Sequence, residues 1–427
     1  MKIEELYNCF LQCSSISTDT RKIETGSLFV ALKGANFDAN TFAAEALTRG
    51  ARYVVIDNPQ YQTDERMLLV DDSLQALQQL ASYHRVQLGL PVIALTGSNG
   101  KTTTKELINA VLSQKYTTKA TVGNLNNHIG VPLTLLSFTN DTEIGIVEMG
   151  ANHQKEIELL CEIAQPNFGY ITNFGKAHLE GFGGAQGVIK GKSELYDYLE
   201  KHQGTAFVNL DDPIQQEKTK ALPRLTFAID AYDCDVRIET VEAKPMVTIK
   251  YDGVTIASNL IGIYNANNVN AAIAIGNFFK VGTNKIKDAI EQSVPTSNRS
   301  QIIEKNGNKI ILDAYNANPS SMDAAIFNLV QLTGSKVAVI GDMFELGAES
   351  IAEHKKVVEN VAEKHDILAY FIGPDYFVNK VESPHLFFFA DYKEFEQYIK
   401  SIEKFINKTI LIKGSRGMAL ERVLELL

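Results

Sequence analysis

The residues with the clearest chemical content lie between Leu95 and Lys105, in the run LTGSNGKTTTK. Glycines at 97 and 100 let backbone N–H groups approach phosphate oxygens with no Cβ in the way. A helix opening just after them adds its positive N-terminal end. Lys101 is placed to reach β- and γ-phosphates, and the Thr102 hydroxyl to bind Mg²⁺. The general phosphate-loop pattern, G-x-x-x-x-G-K-[ST], wants glycine at position 95, where this chain has leucine, so the loop is a shortened one. Glycine-rich strand-to-helix turns are common. The Gly-Lys-Thr-Thr run, with an apolar strand before it and a helix after it, favours ATP or GTP held by Thr96, Gly97, Ser98, Asn99, Gly100, Lys101, Thr102 and Thr103.

Three further clusters carry chemistry. GNLNNHIGVP (123–132) is an asparagine-rich loop whose amides can bond phosphate, although an ordinary polar turn reads the same way. Glu148, in EMGA, ends an apolar strand, where a lone carboxylate is a candidate Mg²⁺ ligand. His178 lies in ITNFGKAHLEGFGG (171–184), a glycine-rich loop after a strand. A lone histidine is more often structural. Ligands of parallel sheets, however, bind outside the carboxyl ends of the strands, and all of these clusters fall there.

The elements that must position them follow from pattern. Val92–Leu95, Glu143–Met149 and Phe168–Thr172 are short continuous apolar runs, as in a parallel sheet covered on both faces. Helical patterns at Lys105–Ser113 and Gln154–Cys161 separate them. Gly204–Val208 and Arg224–Ala228 extend the series, and Val236–Glu242 with Met246–Tyr251 reads as a hairpin. Before Gly89-Leu90-Pro91, strands at Ser27–Leu32 and Arg52–Ile56 mix with helices at Thr41–Arg49 and Leu74–Val86. A second β/α series begins near Arg299, with strands Lys309–Leu312, Val337–Ile340, Ala369–Ile372 and Thr409–Ile412 and helices Ser321–Gln331, Ala352–Lys364 and Lys393–Phe405. The expected fold is α/β in three domains: a small mixed α/β N-terminal domain (1–88), a central P-loop parallel-sheet domain (89–298) and a Rossmann-like C-terminal domain (299–427).

A length of 427 residues suits three domains. The net charge of −10 argues against a nucleic-acid surface as the main purpose, while leaving room for a local basic pocket. The start, MKIEELYNCFL, has no cleavable apolar core. The longest uncharged stretch, Gly253–Phe279, holds six asparagines and is no membrane span. Cys9, Cys13, Cys161 and Cys234 show neither C-x-x-C nor zinc spacing, so a reducing cytoplasm is expected.

Taken together, these runs resemble the Mur ligase family. TGSNGKT matches its short phosphate loop, NNHIGVP its Asn-Asn-x-x-Gly-x-Pro loop, EMGA its metal glutamate and TNFGKAHLE its histidine loop. GKSELY (191–196) is similar to the stretch whose lysine is carbamylated, and the resemblance assigns that role to Lys192, otherwise a surface lysine by spacing. DAYNANPSSM (313–322), GDMFELG (341–347) and KGSRGMALE (413–421) resemble the member that adds D-alanyl-D-alanine to UDP-MurNAc-tripeptide, and SISTDTRKIETGSLFVALKGANFD (15–38) resembles the family's uridine-nucleotide domain.

The resemblance implies an ATP-dependent cytoplasmic ligase, monomeric, with no nucleic-acid or membrane partner. It works through an acyl phosphate, with Lys101, His178 and Lys192 at the reacting centre. Of two Mg²⁺ ions, one falls to Thr102 and Glu148 and the other to His178 and carbamylated Lys192. Asn127 is implied at the γ-phosphate, Asn268 on the adenine side, and Arg299 and Asp313 closing over the nucleotide. Ser17, Asp19, Arg21, Asn316, Asn318 and Arg416 are implied as substrate contacts. The chain departs from the family at Asp38-Ala39-Asn40, Tyr264 and His128. A sister ligase, adding another amino acid to a muropeptide or glutamate to folate, is the nearest alternative.

Overall fold

The computed structural model describes residues 1–295 and 298–427. Its elements group around three sheets. The first sheet is parallel, in the order Ile16–Ser17, Leu28–Val30, Tyr53–Ile56, Met67–Leu69. The helix Ser73–Leu88 leads out of it, capped by the Asp72 carboxylate on the Gln75 N–H and closed by Gly89 at φ +63°. That helix packs against Ile3–Phe10 on one side and the helices Gly130–Leu136 and Glu156–Ala164 on the other, joining the first unit to the second through a common apolar core.

The second sheet has seven parallel strands in the order Val236–Ile238, Arg224–Ile229, Thr205–Asn209, Phe168–Ile171, Val92–Thr96, Ile144–Glu148, Thr118–Ala120. Val92–Thr96 and Ile144–Glu148 are buried at every residue, which is why they read as unbroken apolar runs. The chain moves from Val92–Thr96 to the far edge, returns, then crosses to Phe168–Ile171. A crevice therefore opens at the carboxyl ends of these strands.

The third sheet has the order Gln301–Lys305, Asn308–Asp313, Thr409–Lys413, Lys336–Gly341, Ile367–Ile372, Leu386–Phe389. Only its first strand is antiparallel.

One expectation is corrected. Val236–Glu242 is not one arm of a hairpin: Val236–Ile238 is the parallel edge of the central sheet, and Thr240–Ala243 pairs antiparallel with Met246–Tyr251 in a separate three-stranded sheet completed by Val254–Ile261. One residue, Glu239, separates the two strands, too little for periodicity to register a change of sheet. The uncharged stretch from Gly253 ends in the helix Ala266–Phe278, which packs on Lys101–Leu112. Burial on nearly all sides explains why it shows no amphipathic period. No helix among the described residues is long and apolar enough to cross a membrane.

Candidate active site

Register sets the site. Leu95 lies opposite Glu148 and Thr96 opposite Ile171, so the loops that follow three neighbouring strands leave the sheet level with one another. The loop Gly97–Gly100 leaves the middle strand. Gly97 has φ +142°, and a Cβ there would lie 2.0 Å from Thr172 Oγ1. Gly100 has φ +79°, and its Cβ would meet Asn268 Oδ1 at 2.5 Å. Both positions need glycine for conformation and for space.

The histidine loop braces this turn. Asn173 Oδ1 accepts from the Asn99 N–H (3.2 Å), and Thr172 Oγ1 and Asn173 Nδ2 donate to the Asn99 carbonyl (2.5 and 3.0 Å). Ser98 Oγ donates to the Gly175 carbonyl (2.6 Å). From behind, Asn268 Oδ1 accepts from Thr104 Oγ1 and Asn268 Nδ2 donates to Asn265 Oδ1. Asn268 lines the cleft, but both of its amide atoms are bonded within the protein, to the helix after the loop and to Asn265.

Lys101 folds back over its own loop. Its Nζ donates to the Gly97 carbonyl (2.6 Å) and the Ser98 carbonyl (3.3 Å). Burial lowers its pKa and the nearby Glu148 carboxylate opposes the shift.

Glu148 is 1% exposed. Its Oε1 accepts from Asn126 Nδ2 (2.8 Å), whereas Oε2 is buried with no partner. Its N–H donates to Thr121 Oγ1, and the Thr121 carbonyl accepts from the wholly buried Lys105 Nζ. A chain of bonds thus ties the Glu148 backbone to the helix carrying Lys101. An unpaired buried carboxylate oxygen is costly unless a cation completes it. Asn126, not singled out in the sequence, orients Glu148. Its neighbour Asn127 turns its Oδ1 onto the N–H groups of Ile129 and Gly130. Two adjacent asparagines carry no signal in sequence for which faces which.

These groups line a cleft of about 1140 Å³ between the central and third sheets. From the central unit it takes Ser98–Thr103, Asn127, Glu148, His178 and Asn268, and from the third Arg299, Asp313, Asn316, Asn318 and Arg416. Asp313 pairs with the buried Lys413 (2.6 Å), Arg299 lies 3.7 Å over the Tyr315 ring and Arg416 pairs with Glu421. Thr96 and Gly97 sit behind the lining.

The third unit is docked on the central one at several points. Asn99 and Asn318 exchange amide hydrogen bonds (2.7 and 3.4 Å), and Lys176 donates through its N–H to Ser320 Oγ and through Nζ to Glu353. His178 Nδ1 bonds the Glu345 carboxylate. Tyr264 OH and Ser300 Oγ meet at 3.0 Å, so the Tyr264 departure joins the two units.

Lys192 lies outside the cleft lining and is wholly buried. Its Nζ donates to the Ala151 carbonyl (3.1 Å) and sits 4.9 Å over the Phe182 ring. Burial, with Lys101 nearby, holds its pKa well below the ordinary lysine range. The surface lysine expected from spacing is therefore a core residue.

Ser17, Asp19 and Arg21 belong to the first unit and do not line the cleft. Ser17 Oγ donates to the Asp19 carbonyl and Arg21 bonds both Asp19 carboxylate oxygens, drawing the Asp19 pKa down to about 2. Asn40, where the family has histidine, is buried and bonded to Asp38 and Asp57.

A nucleotide-type loop facing a second α/β unit across a charged cleft defines a class of P-loop enzyme that encloses its substrates between domains. Three family models match the chain in order: Mur ligase family, catalytic domain over 12–85, Mur ligase middle domain over 95–276, and Mur ligase, glutamate ligase domain over 298–416. The UDP-N-acetylmuramoyl-tripeptide–D-alanyl-D-alanine ligase of Bacillus subtilis (strain 168) is 36% identical, covering 96% of this chain and 92% of that one. The crystal structure of MurF from Acinetobacter baumannii superposes with TM-score 0.87 at 32% identity, covering 99% and 98% of the two chains. MurF ligase from Thermotoga maritima in complex with ADP gives 0.84 at 27% identity, covering 98% and 97%. The chain belongs to the Mur ligase family and has its three-domain α/β fold.

Proposed function

We propose that this chain is an ATP-dependent peptide ligase that joins D-alanyl-D-alanine to UDP-MurNAc-tripeptide, as a cytoplasmic monomer. The observation that carries the reading is Glu148, with its unpaired Oε2, facing the same cleft as Lys101 and the docked third domain. The domains run 1–88 for the uridine nucleotide, 89–298 for ATP and 299–427 as the closing unit.

The terminal carboxylate of the tripeptide attacks the γ-phosphorus of ATP, ADP leaves and an acyl phosphate forms. The amine of D-alanyl-D-alanine then adds to the acyl carbon, loses a proton, and the tetrahedral intermediate expels phosphate. The obstacle in the first step is repulsion between a carboxylate and a polyanionic nucleotide. The backbone N–H groups of Ser98–Thr103 cradle the phosphates, and Lys101 leaves the carbonyls it now caps to neutralise charge on them. Arg299 and Asp313 close over the nucleotide, with Asn127 and Asn268 on its central-domain side. Asn316, Asn318 and Arg416 face the acyl acceptor, and Ser17, Asp19 and Arg21 the uridine end. Docking of the third domain keeps water from the acyl phosphate.

The donors at Glu148 and Thr102 are hard oxygens, and Mg²⁺ commonly takes one or two carboxylates with phosphate and water for the rest. They fit that ion, while among the described residues no group of three or more His, Cys, Asp or Glu stands ready to hold a metal alone. His178, with a carbamylated Lys192, would hold a second Mg²⁺. Burial disfavours the charged form of Lys192, carbamylation by CO₂ proceeds through the neutral amine, and the carbamate would supply an oxygen donor. Bound Mg²⁺ offsets the negative charge of the phosphates.

The test is phosphate release from ATP with UDP-MurNAc-tripeptide carrying either lysine or diaminopimelate, with and without D-alanyl-D-alanine. Release that needs both substrates supports the reading. Release with glutamate or another amino acid in place of the dipeptide overturns it.

A further inference from the structure

The contact between His178 and Glu345 joins two domains through two residues that both occupy the left-handed region, at φ +53° and +61°. Neither is glycine, so both turns are strained and held by their surroundings. On the Glu345 side the support is rigid. The Met343 N–H donates to His354 Nε2 (3.0 Å) and the Phe344 N–H to Ser415 Oγ (2.8 Å), while Met343 and Leu346 are buried. The Asp342 carboxylate accepts from the Asp375 and Tyr376 N–H groups (both 3.1 Å). On the other side the Glu180 N–H donates to the Glu345 carbonyl (3.3 Å). Glu345 thus arrives at His178 as part of a braced turn.

A carboxylate only accepts, so its partner Nδ1 carries a proton, and a neutral ring then keeps its lone pair on Nε2. His178 lines the cleft, and among the described residues nothing bonds its Nε2. The acceptor for Nδ1 comes wholly from the third domain. We propose that Glu345 is a positioning residue that sets the tautomer and orientation of His178 when the C-terminal domain docks, so that closure itself readies the His178 Nε2 for the reacting centre. The role at that centre rests on the function proposed above. The tautomer and its dependence on Glu345 do not.

The experiment reads both. In ligand-free protein labelled with ¹⁵N-histidine, His178 is assigned by its loss in His178→Ala. Wild type is expected to show the Nδ1–H form and Glu345→Ala to shift toward Nε2–H, whereas Glu345→Gln, which keeps an acceptor oxygen, retains Nδ1–H. In the ligase assay Glu345→Ala is expected to lose roughly 10–100-fold in kcat, as outer partners of site histidines do, with KM for ATP little changed and Glu345→Gln partly restored. Glu345 is 50% exposed, so both variants are expected to melt close to wild type. An unchanged His178 tautomer in Glu345→Ala overturns the proposal. An altered tautomer in a protein without ligase activity leaves the positioning intact and overturns the proposed function instead.

Discussion

Asn99, at the tip of the phosphate loop, and Asn318, at the start of the helix Pro319–Gln331, face each other amide to amide across the two domains. Asn318 also caps its own helix by accepting from the Ser321 N–H. The nucleotide loop and the closing domain therefore share one hydrogen-bonded pair.

The two duties of Asn318 are separable. Serine is a good N-cap but too short to reach Asn99. Asn318→Ser is expected to keep the unfolding free energy to within about 1 kcal/mol of wild type and to lose ligase activity. Asn318→Ala loses both. A double-mutant cycle with Asn99→Ala, followed by urea unfolding, should give a coupling of roughly 1 kcal/mol, and a coupling of zero refutes the link.

Lys101→Ala removes the mobile cation of the phosphate loop. Phosphate release is expected to fall by about a hundredfold or more, the scale of losing one charge-stabilising donor, with the protein still folded by circular dichroism. Ligation that survives this change refutes the assignment.

Glu148→Gln keeps the shape of the side chain and removes the charge at its unpaired oxygen. The Mg²⁺ needed for half-maximal phosphate release is expected to rise roughly tenfold or more, and chelation by EDTA to abolish release in wild type. An unchanged Mg²⁺ titration would place the ion elsewhere.

Gly97→Ala puts a methyl group 2.0 Å from Thr172 Oγ1 in a backbone conformation that alanine resists. A loss of more than about 2 kcal/mol is expected in chemical denaturation. Trimming the neighbour with Thr172→Ala should restore little, because the Thr172 backbone nitrogen lies 3.0 Å from the same point.

His84 gives a pH test of the junction between the first two domains. It is 5% exposed, its Nε2 meets the Phe138 carbonyl (3.0 Å) and its Nδ1 the Tyr7 hydroxyl (3.2 Å). Burial holds its pKa below the ordinary 6.5. The unfolded chain then binds a proton that the folded chain refuses. Its contribution is complete above about pH 6.5 and is lost as the pH falls through the depressed folded value. Urea midpoints measured from pH 7.5 to 5.5 should fall more steeply for wild type than for His84→Gln. Parallel slopes would remove His84 as the cause.

The chain itself determined the parts that depend on local order. Continuous apolar runs marked Val92–Thr96 and Ile144–Glu148, because a strand buried on both faces has no polar side to show. Gly97 and Gly100 marked the phosphate loop, because only glycine fits its angles and its neighbours. Residue type and position at a strand end were enough to single out Lys101, Glu148 and His178. Tertiary structure decided what depends on partners distant in sequence. Asn126 rather than Asn127 serves Glu148, Asn268 bonds Thr104 on the helix after the loop, and Lys192 is buried under Phe182. The bond from His178 to Glu345 spans 167 residues and two domains. No periodicity carries such a pairing, because it arises from how two separately folded sheets dock and not from the order of residues within either.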